Sequence, residues 1–284
     1  MRSALMQELR GRFRGRRGSI GRATRLITGH LCLSLSVSLA LSVSGTATAA
    51  AADTEASKCV NAARKTSRRL DALRRQGQAP AMGLAVFCER RRVIIEGYGS
   101  ADADTPMRWG SITKSFTGLA GLRLVEATDL TLDDPVRPIL GDGYYLNPWA
   151  ATQPIRIESL LALSAGLPDL TREEWNDNEP LPLWQALGRH QSERRTLWPP
   201  GLQHSYSNVP PGLTAAVIER RSGIPFERFV AARIFEPLGM ASASLHPIPG
   251  LPGGYQSDGS TEIPYWHVTF RGFGALNAST RDMS

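Results

Sequence analysis

The sequence predicts an α+β fold. Two strand-like runs lie close together early in the chain, Ala81 to Cys88 and Arg92 to Tyr98, and mainly helical patterns follow them. Strands grouped ahead of helices, without β–α alternation, point to this class and away from a parallel α/β sheet. No internal repeat or linker divides the body, and 42% apolar residues give it the means to build a core. Residues 50–284 therefore read as one domain.

The charge balance excludes a nucleic-acid partner. The chain has 284 residues with 33 Lys plus Arg against 26 Asp plus Glu, a formal net charge of +7. Eight arginines and one glutamate fall within residues 1–49, which leaves 25 side chains of each sign in the remainder. A neutral body has no electrostatic footprint for a phosphate backbone.

Residues 1–49 read as a secretory signal peptide. Arginines crowd residues 2–25, Leu26 to Val43 carries no Asp, Glu, Lys or Arg, and Ala47-Thr48-Ala49 supplies small residues for cleavage. That order is the one a signal peptidase substrate has. The apolar stretch is also long enough to span a bilayer, so a membrane association follows only if the leader stays uncleaved. Five serines between 34 and 44 make it a poor permanent membrane helix. Export by the general secretory route is the expectation, with the protein secreted or associated with the cell envelope.

Along the body, Thr54 to Arg75 reads as an amphipathic helix with Val60, Ala63 and Leu70 or Leu73 on a thin apolar stripe. Glu89-Arg90-Arg91 separates the two strands as a hairpin turn. A polar loop to Trp109 leads into a helix on which Ile112, Phe116, Leu119, Leu122 and Val125 recur at helical intervals. Residues 136–157 read as loop, and Ile157 to Leu163 as a short helix ending near Gly166 and Pro168. Pro210-Pro211 opens a helix that closes at Gly223. Another runs from about Pro225 to Phe235, with Phe226, Phe229, Val230 and Ile234 on one face. From Met240 to about Thr269 the chain reads as loop, and a new helix is expected to begin at Asp282.

Cys59 and Cys88 remain after the leader; an exported protein permits a bridge between them, and two buried thiols are the alternative. Two cysteines supply no metal framework, and the five histidines show no pair at helical ligand spacing, so no metal site is expected.

Lysine is scarce: the chain uses it at positions 58, 65 and 114 only. Lys114 lies three residues after Ser111, at the start of an otherwise apolar helix, so both side chains share one face. A desolvated amine can give up its proton near neutral pH, and a guanidinium cannot. A serine on a first turn also meets free backbone N–H groups. Together these favour a serine nucleophile and its oxyanion; alone, Ser111 reads equally as an N-cap. The second cluster, Tyr206-Ser207-Asn208, follows Ser111 by 95 residues just ahead of the Pro-opened helix. Its phenol can relay protons and its amide can fix a lysine or a substrate carbonyl; the plainer reading is a loop tyrosine beside a turn asparagine.

These residues resemble the serine β-lactamase-like family, which includes class C β-lactamases, D-alanyl-D-alanine carboxypeptidases and related esterases. Ser111 to Lys114 matches its Ser-x-x-Lys motif and Tyr206 to Asn208 its Tyr-x-Asn motif. Ser159 to Asp169 resembles a third family stretch, with Leu163 where a histidine is usual and Ala165 where a serine is usual. Ile234 to Met240 and Ser279 to Met283 match two more, so the resemblance runs from about Ala81 to the last residue. The resemblance implies an antiparallel sheet flanked by helices, with a mainly helical region beside it. It implies Ser111 as the acylated nucleophile, Lys114 as its base, Tyr206 as a proton relay, and Asn208 orienting Lys114 and the substrate amide. Substrates would be β-lactams, D-alanyl peptides of the peptidoglycan type or small esters, taken by a monomer without metal or organic cofactor.

The family's later Lys- or His-x-Gly motif finds no match after Tyr206, so the sequence is expected to be truncated, its last strands missing and its isolated activity weak. A catalytically incomplete binding protein of the same fold is the rival to the hydrolase.

Overall fold

The computed structural model describes residues 44–77, 79–177, 181–249, 251 and 253–284. The basic and apolar parts of the leader lie outside the described residues. Among those described, no helix is long and apolar enough to cross a membrane. The chain divides into two compact units, residues 1–59 and 60–284. In the first, the described residues form the opening of helix α1 (Ser44–Gln76), which includes the small residues 47–49.

Within the second unit, the rest of α1 buries Ala63 and Ser67, while Leu73 is exposed. The covered face is thus more polar than its apolar residues suggest. Ser67 Oγ donates to Glu96 Oε2 at 3.0 Å and pairs with the Tyr98 hydroxyl at 2.6 Å. Glu96 and Tyr98 belong to the hairpin β1 (Ala81–Cys88) and β2 (Arg91–Gly99), paired from Ala81↔Gly99 to Cys88↔Arg91 with an irregularity at Val86/Phe87. Glu89, at φ 55°, takes the left-handed turn conformation usually left to Asn or Gly. Cys59 and Cys88 are both disulfide-bonded.

The remaining strands are short and pair far along the chain. β3 (Pro106–Arg108) is followed by β4 (Asn176–Asp177), β5 (Gly254–Tyr255), β6 (Glu262–Ile263), β7 (His267–Val268) and β8 (Asn277–Ser279). β3 pairs antiparallel with β8, β4 with β7, and β5 with β6. Residues 240–269 therefore hold strands where loop was expected, and residues 280–283 form a turn, not a helix start. With the hairpin, the described residues contain four two-stranded antiparallel ladders instead of one broad sheet.

Helices supply most of the core: α2 (Thr113–Ala127), α3 (Arg137–Leu140), α4 (Ile157–Leu161), α5 (Leu183–Gly188), α6 (Val209–Ser222), α7 (Phe226–Val230) and α8 (Glu236–Leu238). α3 lies in the stretch expected as loop. α6 is buried without a break from Val209 to Ile218, which marks it as the central helix. α7 continues through a π turn, and Phe226, Phe229, Val230 and Ile234 are buried as expected.

On α2 the expected face is corrected in part: Phe116 and Val125 pack against the core, but the other three residues of that face do not. Ile112, Leu119 and Leu122 are 47%, 40% and 48% exposed, while Thr113, Thr117, Ala120, Gly121 and Leu124 are buried. Close packing explains the choice. A Cβ on Gly121 would come within 3.1 Å of Leu161 and 3.3 Å of Thr214 on α6, so the small face is the one that fits.

A similar approach fixes residues 268–278, all buried or nearly so, against α6. A Cβ on Gly212 would lie 2.8 Å from Phe270 Cβ. Helix propensity alone would favour alanine there by about 0.5–1 kcal/mol. Overpacking a close contact costs about 1–3 kcal/mol, and it prevails here. Gly212→Ala is expected to lower the melting temperature; a higher melting temperature by calorimetry would show that the Phe270 segment yields freely.

Candidate active site

Ser111 sits on a 3-10 turn, Gly110–Ile112, that leads directly into α2. Trp109, just before it, is anchored twice: its backbone N–H donates to Leu276 O at 2.8 Å and its Nε1 to Ala278 O at 2.9 Å. Gly110 then turns the chain at φ 51°. Buried threonines tie the helix start to the 272–278 segment. Thr113 Oγ1 donates to Gly110 O at 2.6 Å and accepts from Leu276 N at 3.0 Å. Thr117 Oγ1 donates to Gly272 O at 2.7 Å.

The i,i+3 spacing works as expected: Lys114 Nζ donates to Ser111 Oγ at 3.1 Å. It also donates to the Phe273 carbonyl at 3.0 Å and lies 4.8 Å from the Tyr206 ring centroid. Tyr206, from the loop before α6, donates its hydroxyl to Ser111 Oγ at 2.8 Å. One serine oxygen thus meets both an amine and a phenol, each able to exchange a proton with it. Acyl transfer through serine requires that kind of neighbourhood.

Asn208 makes no hydrogen bond to Lys114 among the described residues. Its side chain is 3% exposed, and its Nδ2 donates to Asp169 at 3.0 and 3.2 Å, not to a group at Lys114. The amide nitrogen, a donor only, meets a carboxylate, an acceptor only. Three of the four expected residues therefore meet at one oxygen, and the fourth is bonded to Asp169.

Sequence reasoning missed Phe273, which contributes only a backbone carbonyl and so leaves no side-chain signature. It also missed Thr113 and Thr117, although hydroxyls at i,i+4 in an apolar helix were a readable signal. Among the described residues no group of three or more His, Cys, Asp or Glu could hold a metal ion. A cavity of about 810 Å³ opens elsewhere, bordered by Arg137, Tyr145 and Arg195, with burial pushing the Tyr145 phenol up to about 12. It includes none of the four site residues, so convergence of chemistry, not volume, identifies the site.

Fold and site together define an α+β protein with a Ser–Lys–Tyr hydroxyl cluster at the mouth of a helix. The chain belongs to the beta-lactamase family, described as Beta-lactamase, which matches residues 66–284. A "Beta-lactamase" of Yersinia enterocolitica is 29% identical over 174 residues, 58% of this chain and 42% of that protein. The chain spans less than half the length of the curated relatives it matches. Among solved structures, the beta-lactamase/D-alanine carboxypeptidase of Yersinia pestis complexed with citrate shares the fold at TM-score 0.59 and 24% identity. That match covers 74% of this chain and 62% of the other. EstCE1, a hydrolase with promiscuous acyltransferase activity, aligns at TM-score 0.63 and 20% identity over 82% of this chain and 71% of its own. The fold is that of beta-lactamase-related hydrolases.

Proposed function

We propose that this chain carries the nucleophilic site of a serine acyl hydrolase. Its substrates are β-lactams, D-alanyl peptides or small esters, and the reaction passes through a covalent acyl-enzyme. The observation that carries the reading is the convergence of Lys114 Nζ and Tyr206 OH on Ser111 Oγ, at 3.1 and 2.8 Å, from segments 95 residues apart. In the acylation step, Ser111 Oγ attacks the substrate carbonyl while its proton passes to Lys114 or through Tyr206. The leaving group departs with a proton returned from the same pair, and water then releases the acyl group. The order of basic, apolar and small residues in the leader supports export of the protein.

The test compares a chromogenic cephalosporin, a D-alanyl-D-alanine dipeptide amide and a short-chain nitrophenyl ester, each against the chain and its Ser111→Ala variant. Turnover of any one that disappears in the variant supports the reading and sorts the substrate class. A folded chain that turns over none, or turnover untouched by Ser111→Ala, overturns it.

A further inference from the structure

The cavity beside α3 has the lining of a binding site, and the chemistry at Ser111 does not use it. Its volume of about 810 Å³ falls in the range of pockets that hold drug-sized ligands. Backbone pairing fixes its walls. Val136 N donates to Ile155 O at 2.9 Å, Leu146 N to Arg194 O at 3.1 Å, and Thr196 N to Leu146 O at 2.9 Å. The Asn147 side chain ties the loop between them: Nδ2 donates to Gln153 O and Oδ1 accepts from Trp149 N, both at 2.9 Å. Pro135, Pro138, Pro148 and Pro154 line the space together with Tyr145, which makes the lining stiff, mostly apolar and rich in rings.

Three lining residues carry charge: Arg137, Asp142 and Arg195. Arg137 and Asp142 neutralise each other, Nε meeting Oδ1 at 2.5 Å. Arg195 makes no ion pair or side-chain hydrogen bond among the described residues. It forms a β-bridge with Leu146, and neighbouring side chains on extended backbone point to opposite sides. Arg194 takes the inner side, where Glu174 and three carbonyls meet it. Arg195 is left on the outer side with its guanidinium uncommitted. The Tyr145 hydroxyl, close enough to Arg137 and Asp142 to feel both charges, makes no hydrogen bond among the described residues either. Burial holds it in the protonated form, so it stands ready as a donor. The uncommitted groups named here are therefore donors, with one positive charge in excess.

We propose that this cavity binds an aromatic monocarboxylate, its carboxylate on Arg195 and its ring among Tyr145 and the prolines. A guanidinium fork matches a carboxylate in shape as well as charge. One free cation balances one negative charge; a phosphate monoester brings close to two, and the surplus would face Asp142. The site is separate from Ser111, and the proposal holds whether or not that serine is acylated.

The test measures binding of 4-phenylbutanoate, its neutral amide and 3-phenylpropyl phosphate to the full chain by calorimetry, with NMR shifts locating each ligand. The carboxylate is expected to bind about tenfold more tightly than the amide, the scale of one charge-assisted hydrogen bond. Arg195→Ala should bring the carboxylate down to the level of the amide, and Arg195→Lys should retain most of the difference. Ala151→Trp, which puts an indole into the space, should abolish binding of both. Arg195 and Ala151 are exposed, so these variants are expected to melt near the unsubstituted protein. Equal affinity for carboxylate and amide in the unsubstituted chain overturns the proposal without recourse to any variant. Tighter binding of the phosphate, carboxylate binding untouched by Arg195→Ala, or shifts centred on Ser111 and Lys114 instead of Tyr145 and Arg195, overturns it equally.

Discussion

Lys114→Arg is expected to abolish acylation of Ser111 while leaving the fold in place. Arginine keeps the positive charge and can still donate to the Phe273 carbonyl, which Lys114 Nζ meets at 3.0 Å. It cannot accept the serine proton, because a guanidinium stays protonated at any pH the protein survives. Loss of a general base alone costs about 10²–10⁴-fold in rate. Groups acting as one unit on a single oxygen lose more than their separate shares. The measurement is the burst of nitrophenolate from a nitrophenyl ester, with the acyl-enzyme followed by intact mass and folding by circular dichroism. A burst of similar rate in the substituted protein would remove Lys114 from the mechanism and leave the Tyr206 hydroxyl, also on Ser111 Oγ, as the remaining proton acceptor.

The largest loss of stability is expected from Glu174→Ala. Arg194 and Glu174 form an ion pair whose side chains are 1% and 2% exposed. The guanidinium also donates to three backbone carbonyls, those of Leu187, Tyr144 and Arg189, and lies 5.1 Å from the Phe270 ring centroid. Removing the carboxylate leaves a buried cation without its counter-charge, at a cost of about 3–5 kcal/mol. In a domain of this size that corresponds to a fall of about 6–20 °C in melting temperature. A buried ion pair can often be replaced whole by apolar residues at little cost. Here it cannot, because the three carbonyls would lose their donor, at about 1–3 kcal/mol for each left unpaired. Glu174→Leu with Arg194→Met is therefore expected to remain well below the unsubstituted protein. Recovery of the original melting temperature in that double variant would show that water satisfies the carbonyls.

The two largest effects involve different kinds of residue, and the sequence treats them differently. Lys114 stood out because lysine is rare in the chain and sits at a fixed interval from a serine. Arg194 did not, being one of many arginines in a stretch that mixes Trp, Pro and acids. A buried charge is recognised by what surrounds it, and its partners lie 5, 7, 20 and 50 residues away.

What the sequence determined by itself was local chemistry and punctuation. It placed Ser111 and Lys114 one helical turn apart, bounded α6 between Pro210-Pro211 and Gly223, and placed Phe226, Phe229, Val230 and Ile234 on a common face. Each depends on backbone geometry within a few residues, which spacing reports directly. Tertiary structure alone decided the rest. It buried Thr113, Thr117, Ala120, Gly121 and Leu124 of α2 and left Ile112, Leu119 and Leu122 exposed, because α6 approaches too closely at Gly121 for a larger side chain. It paired β3 with β8 across about 170 residues, where three-residue strands carry no local signal. It gave Lys114 a backbone carbonyl and Asn208 a carboxylate as partners. A carbonyl has no residue identity to read, and an asparagine's partner depends on which group the fold sets before it.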